Sequence, residues 1–239
     1  MSSIQTKGIV LHETDTGETD KRLTLLTKGY GKIAVSARGA RKPKSKFMAS
    51  AQLFTYSSFV IYDGGQFYSL SQADAIENFF SIRSDYTRLC LAQYFAELCD
   101  KTIPYNAPCD ELLHLMIISL SSLTKGFRTP FLTARSFEIK FFQLSGVAPE
   151  TERCAKCGGP LSRPFRFGAD GTVCTCYTQP ALIISPSALS AIRYILSADL
   201  PNIFKFCVGQ DALEEMRCAS RFFLKHHFDV NIVSLNMLE

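Results

Sequence analysis

The 239-residue sequence predicts an α+β fold, with a five-stranded N-terminal barrel and then a helical region that one cysteine-rich segment interrupts. Three observations predict it. Short β-compatible runs separated by glycine-bearing turns fill the first 80 residues. From Asn78 onward, apolar residues recur at helical spacing. Four of the nine cysteines, Cys154, Cys157, Cys174 and Cys176, crowd into one short stretch.

The expected strands are Ile4 to Leu11, Arg22 to Thr27, Lys32 to Ala37, Ala51 to Tyr62 and Gln66 to Ala73. Turns such as Lys28-Gly-Tyr-Gly31 and Asp63-Gly-Gly65 divide them. Five such runs fit a small Greek-key barrel of the OB type. Periodicity alone fits an SH3-like barrel as well. The first helix follows Ser84 and Asp85, which are placed to cap it, and sets Leu89, Ala92, Phe95, Ala96 and Cys99 on one face. Further helices are expected over Asp110 to Thr124, Pro130 to Leu144, Pro186 to Leu196 and Asp211 to His226. Ser145-Gly146 suits the stop of the third. The implied organisation is a barrel domain over residues 1–80 and a helical domain over 81–239, interrupted at 150–180.

Hydrophobic content of 46% and charged content of 20% exclude a disordered tail. No run of apolar residues is long enough to span a bilayer and no secretory leader is evident, so a cytoplasmic protein is expected. Nine cysteines is an odd number in a chain too large to need disulfide staples. Cys90, Cys99, Cys109, Cys207 and Cys218 read as small buried hydrophobes.

Cys154-Ala-Lys-Cys157-Gly-Gly has the form of a zinc knuckle, because glycine after a Cys-x-x-Cys turn lets backbone amides point at the thiolates. Cys174 and Cys176 would complete a four-sulfur site, structural because no ligand position stays open. Their single-residue spacing is tighter than the usual two. Free surface thiols or a redox dithiol are the competing readings.

Between Lys21 and Tyr62 the chain has nine Lys or Arg residues and no Asp or Glu. Cations without counterions repel one another, so such a stretch calls for an external polyanion, with a solvated charged face as the bland alternative. Arg38, Arg41, Lys42, Lys44 and Lys46 form its densest part, in a loop shaped by Gly39 and Pro43. Lys21, Arg22, Lys28 and Lys32 are further candidate phosphate contacts. Of the nearby aromatics Phe54, Tyr56, Phe59 and Tyr62, alternation places most in the core. Asp15, Glu18 and Asp20 read as a polar turn. No catalytic constellation is found: His12, His114, His226 and His227 lack a nucleophile or metal spacing, and no phosphate-binding GxxxxGK motif is present.

The order Gly8-Ile-Val-Leu11, Gly17-Glu-Thr-Asp20, Leu23-Thr-Leu-Leu-Thr27, Gly31-Lys-Ile33, Arg38-Gly-Ala-Arg41 and Ser45-Lys-Phe47 resembles the bacterial RecO family of recombination mediators. Ala92-Gln-Tyr94, Glu97-Leu98, Arg135-Ser-Phe-Glu138, Gly146-Val-Ala-Pro149 and Cys154-Ala-Lys-Cys157-Gly158 continue the match over nearly the whole chain. The resemblance implies an OB-fold, a helical domain and an inserted zinc-binding element. It also implies binding of single- and double-stranded DNA, annealing of complementary strands, and loading of RecA with RecR and RecF onto DNA coated by single-strand-binding protein. The acidic tail of that protein needs a cation beside an apolar pocket, and Arg128 and Arg135 near Phe131 and Leu132 are the candidates. A buried structural role for Arg135 competes equally. An RNA-binding OB protein with a zinc element, or a scaffold with a basic docking loop, would carry the same signals.

Overall fold

The computed structural model describes residues 2–65 and 67–238, and Gln66, the expected start of the fifth strand, lies outside them. The chain divides into two compact units. One comprises Met1–Lys125 with Ile232–Glu239, and the other Gly126–Asn231.

The first unit is built on a closed barrel of five strands in the order β1-β2-β3-β5-β4: β1 Ser2–Thr16, β2 Asp20–Thr27, β3 Gly31–Ala37, β4 Tyr56–Asp63 and β5 Tyr68–Glu77. All neighbours are antiparallel except β3 and β5, which close the barrel in parallel. This is the OB-type arrangement. Its core is the inward half of each strand, including Val10, Leu23, Leu25, Ile33, Val35, Phe59 and Ile61. The fourth strand is shorter than the expected Ala51 to Tyr62. Phe54 adopts a left-handed conformation (φ 68°) that breaks extended chain, and Ala51 to Thr55 form turns.

After the barrel come α1 (Tyr86–Thr102) and α2 (Asp110–Lys125). The Asp85 side chain accepts the Arg88 amide at 2.9 Å and satisfies one orphan donor at the start of α1. The sequence puts the end of the barrel domain near residue 80, whereas the compact unit runs on through both helices because the link between them packs on the barrel. Asn106 donates to the Lys32 carbonyl at 2.9 Å, and the Gly29 amide donates to Asp110 at 2.7 Å. Gly31, at φ 70°, is required there: a Cβ would fall 2.0 Å from the Ala107 oxygen. The chain's last turn, a 3₁₀ helix over Val233–Leu238, returns to α1. Glu97 accepts from the Val233 and Ser234 amides at 2.9 and 2.8 Å.

In the second unit α3 (Pro130–Leu144) is central, packed against α4 (Pro186–Ser197) and α5 (Gln210–His227). Every residue from Leu132 to Phe142 on α3 is buried. Thr129 and Ser185 cap α3 and α4, each followed by a proline that fits the first helical turn. Phe137, Phe141, Phe142, Phe223 and Phe228 form the aromatic centre. Lys140 is buried on α3, and its ammonium caps the C-terminus of α4 through the Leu196 and Ala198 carbonyls at 3.2 and 2.7 Å. A three-stranded sheet that the sequence pattern does not announce has β6 (Phe165–Gly168) between β7 (Gly171–Val173) and β8 (Leu182–Ile184). Among the described residues, no helix is long and apolar enough to cross a membrane.

Candidate nucleic-acid interface and metal centre

The basic loop after β3 is a chain of tight turns with alternating destinations. Ala40, Phe47 and Ala51 are plugged into the barrel core, while Arg38, Arg41, Lys42, Lys44 and Lys46 are all exposed. Gly39 begins it at φ 69°, and its amide donates to Asp20 at 2.7 Å. The Arg41 amide donates to the Thr19 carbonyl at 2.9 Å. At the far end the Lys46 ammonium reaches the Ser71 carbonyl at 2.6 Å. Apolar anchors therefore fix the loop and cations cover its outside.

The stretch is less one-sided than its sequence. The β1–β2 hairpin folds acids from before Lys21 onto it: Glu13 pairs with Lys21 at 2.7 Å, and Asp15 with Arg41 at 3.3 Å. The Gly39 amide, the Thr19 hydroxyl and the charges of Arg38 and Lys42 hold the Asp20 carboxyl below its usual range, in that order of importance and against a small effect of burial. The hairpin register, with Asp15 opposite Lys21, is the signal that would have found these counterions.

Lys32 is corrected from a phosphate contact to a structural residue. It is 4% exposed, donates to the Asp100 carbonyl, stands 3.8 Å from the Asp100 carboxylate and lies over the Tyr105 ring. Its place at the start of β3, beneath the α1–α2 link, leaves it no path to solvent. Burial lowers its pKa, with Asp100 opposing. Arg22 and Lys28 are exposed, and Lys21 is half-buried in its pair. Phe54 and Phe59 are core, whereas Tyr62 is exposed.

Arg135 is likewise corrected. It is 4% exposed and paired at 3.1 Å with Glu138, itself 1% exposed, so it cannot meet a partner's acidic tail. Arg128 is half-buried and donates to the Phe204 carbonyl at 2.7 Å, with exposed Phe127 and Phe131 near it in sequence. Of the five scattered cysteines, Cys90, Cys99 and Cys109 are buried as expected, but Cys207 is exposed and Cys218 half-buried.

The four clustered cysteines converge, with all sulfurs within 4.8 Å of one another. Cys154 and Cys176 lie 3.7 Å apart, and Cys157 and Cys174 lie 3.6 Å apart. Zn–S bonds of about 2.3 Å in a tetrahedron require sulfur separations of roughly 3.8 Å, so the four sulfurs fit a metal ion. Cys174 follows the last residue of β7, and the Cys176 amide points back at the Cys174 sulfur at 3.4 Å, so one intervening residue suffices to bring both sulfurs in. The Cys174 amide donates to the Cys154 sulfur at 3.3 Å. With the Cys157 and Lys156 amides it draws the Cys154 thiol down to about 6, while hydrogen bonding to the Cys174 and Cys157 sulfurs pushes the Cys176 thiol up to about 12, so the amides favour negative charge on Cys154 in particular. Gly171 tethers the hairpin, because a Cβ there would lie 2.1 Å from the Glu150 oxygen.

Two family models cover the chain almost completely: Recombination protein O N terminal over residues 1–79 and Recombination protein O C terminal over residues 83–236. The protein called DNA repair protein RecO in Acetivibrio thermocellus is 36% identical over 244 aligned residues, which cover 100% of this chain and 97% of the relative. Proteins of the same name from Bacillus pumilus (33% identity, 95% and 88% covered) and Alkaliphilus metalliredigens (32%, 98% of each) match along the same length. A five-stranded barrel with a basic loop, a helical region and a four-cysteine cluster accompany that similarity from end to end, and the chain belongs to the RecO family.

Proposed function

We propose that this chain is a DNA repair and homologous recombination mediator. It binds single- and double-stranded DNA, anneals complementary strands, and with RecR and RecF helps load RecA onto DNA coated by single-strand-binding protein. The observation that carries the reading is the loop of residues 38–46, whose five cations stand outward from a backbone pinned by Ala40 and Phe47. Annealing breaks no bond. It requires two polyanionic backbones to be neutralised close together, which spread cations on a fixed scaffold supply. Arg22 and Lys28 extend that surface, and Lys21 contributes once released from Glu13. The four cysteines hold one structural zinc per chain, which fixes the loop between α3 and α4 and takes no part in chemistry. For the acidic tail of single-strand-binding protein, Arg128 beside Phe127 and Phe131 is the remaining cation. The reading places the protein in the cytoplasm, at the nucleoid.

Replacing Arg38, Arg41, Lys42, Lys44 and Lys46 together by Ala is expected to weaken DNA binding evenly across sequences. The slope of log affinity against log salt should flatten by up to about 0.9 for each duplex phosphate that is no longer neutralised. Equal affinity of parent and variant at low salt would remove the loop from the mechanism. Stronger binding of RNA than of DNA of matched sequence would favour an RNA-binding protein instead.

A further inference from the structure

The four clustered cysteines lie on two arms of the second unit. One arm is the turn Cys154-Ala-Lys-Cys157, and the other is Cys174-Thr-Cys176, directly after β7. Backbone and hydroxyl bonds set the arms side by side: the Ala155 amide donates to the Thr172 carbonyl at 2.8 Å, and the Thr172 hydroxyl donates to the Arg153 carbonyl at 2.8 Å. In that setting two sulfur contacts run from arm to arm. Cys157 stands 3.6 Å from Cys174, and Cys154 stands 3.7 Å from Cys176. Each contact joins an exposed residue, Cys157 or Cys176, to a more covered one, half-buried Cys174 or buried Cys154. A soluble oxidant therefore meets one member of each pair, with the other member behind it. A bridge inside Cys174-Thr-Cys176 would instead span a single residue, in a turn already closed by the Tyr177 amide on the Cys174 carbonyl at 3.2 Å.

We propose that the cysteine element has a second cross-linked state, in which oxidation by a hydroperoxide replaces the metal with two disulfides, one between Cys157 and Cys174 and one between Cys154 and Cys176. The inference rests on the reading of the cluster as a zinc site and adds what becomes of that site under oxidant. The Cys157 thiolate attacks the O–O bond of the peroxide; its sulfur becomes a sulfenic acid and hydroxide leaves. The Cys174 thiolate then attacks that sulfur, the S–S bond forms and a second hydroxide leaves. Two electrons pass from two thiolates to one peroxide. The same steps at Cys176, with Cys154 as the resolving thiolate, consume a second peroxide, and no thiolate is left to hold zinc. A disulfide needs its sulfurs about 2.05 Å apart, so each pair closes by roughly 1.6 Å, a distance that rotation of side chains on turns supplies. Both bridges join the same arms that the metal joins, so the oxidised element keeps its fold. Bridges inside the arms would leave the arms unlinked.

The test treats the zinc-loaded full chain with hydrogen peroxide beside a chromogenic zinc chelator, follows amide exchange, and digests the chain without reduction. The expected result is release of the bound zinc, peptides joined from Cys157 to Cys174 and from Cys154 to Cys176, and exchange protection over the segment equal to that of the zinc-loaded chain. Reductant with added zinc should restore the starting state. Chain that is stripped by chelator and kept reduced is the unlinked reference and should lack the protection. A Cys157→Ser/Cys174→Ser variant, left with Cys154 and Cys176, should gain protection on oxidation. A Cys174→Ser/Cys176→Ser variant, left with the two cysteines of one arm, should gain none. Zinc that stays bound in excess peroxide, disulfides inside the arms, or an oxidised chain that exchanges as fast as the reduced, stripped one would each overturn the second state and leave the zinc reading standing. A purified chain that holds no zinc, yet forms and is protected by the two bridges between arms, would overturn the zinc reading and uphold the bridges.

Discussion

The basic loop over residues 38–47 and the cysteine element between α3 and α4 are both irregular chain, and they are held in place by different means. The loop borrows a core: Ala40 and Phe47 sit among Val35, Phe59 and Leu70 of the barrel, with almost no exposed surface. The sheet of the cysteine element does bury Phe167, Val173 and Ile184, but the turns that carry the cysteines, over residues 155–164 and 174–180, bury no side chain. Cys157 and Cys176 are exposed, its β7 is three residues long, and its four sulfurs form the common point of the segment. A loop beside a finished barrel can be shaped by side-chain burial worth roughly 1.5–3 kcal/mol per large residue. Turns that bury nothing of their own are held by a cross-link instead, and a metal ion is a reversible one.

Metal removal breaks this comparison most sharply. Stripping the ion with a chelator, or replacing Cys154 by Ser, should abolish amide-exchange protection between Cys154 and Cys176 and lower the melting temperature of the protein. Free energies of about 10–16 kcal/mol are bound up in isolated structural zinc sites, so the local effect should exceed that of any single apolar deletion. Protection over Ala40 to Ala51 and affinity for DNA should stay as they were. Metal analysis giving less than one ion per well-folded chain, or protection of the cysteine segment that survives the chelator, would contradict the account.

Phe47→Ala strikes the other region. Phe47 is 3% exposed, and truncating a buried Phe costs about 3–5 kcal/mol through forfeited transfer energy and the cavity left behind. All the loop cations remain, so the salt slope of DNA binding should be kept while affinity drops severalfold because the charges are no longer held together. A lower unfolding midpoint in urea with undiminished affinity would mean that the loop's charge matters and its shape does not.

The returning C-terminal turn is a third case, fixed by a carboxylate, and it titrates. Burial alone would raise the pKa of Glu97; the 2.7 Å pair with Lys101 and the bonds from Ser234 and Val233 outweigh it and hold the group at about 2, against an ordinary 4.5. A pKa lowered in the folded state contributes stability that is fully present above pH 4.5 and is lost as pH falls from there through about 2. In that window the parent should lose of order 1–3 kcal/mol that a Glu97→Gln variant, already weaker at neutral pH, does not lose. Parallel stability-versus-pH curves for the two proteins would remove Glu97 from the latch.

What can be read in advance follows from the range of the interaction. Capping is local, and Asp85, Thr129-Pro130 and Ser185-Pro186 mark helix starts that periodicity finds to within a residue or two. Cysteine spacing is nearly as local, and the four clustered residues can be named from it. Lys32 escapes such reasoning because charge alone says nothing of what packs over it, and its partner Asp100 is seen only once the elements are folded; Glu138, three residues after Arg135 on one helix, is a local partner, and the buried role weighed for Arg135 is the one found. Phe54 delays the start of the fourth strand through a backbone conformation that its own residue type disfavours, so no propensity could announce it.

The counterions give the finest division between loop and element. The pair of Asp15 with Arg41 is exposed on both sides, at 58% and 39% of the side chain, and such pairs contribute little to stability. Asp15→Asn should therefore leave the melting temperature within experimental scatter. It should, however, free Arg41 for an external phosphate, which predicts a rise in duplex affinity of up to a few-fold at low salt and a salt slope steeper by at most about 0.9. If affinity falls instead, Asp15 is positioning the Arg41 guanidinium rather than competing for it, and the loop would then depend on its acids for shape as well as on its apolar anchors. Either sign can be read from one salt titration, because the competing account requires the slope to flatten.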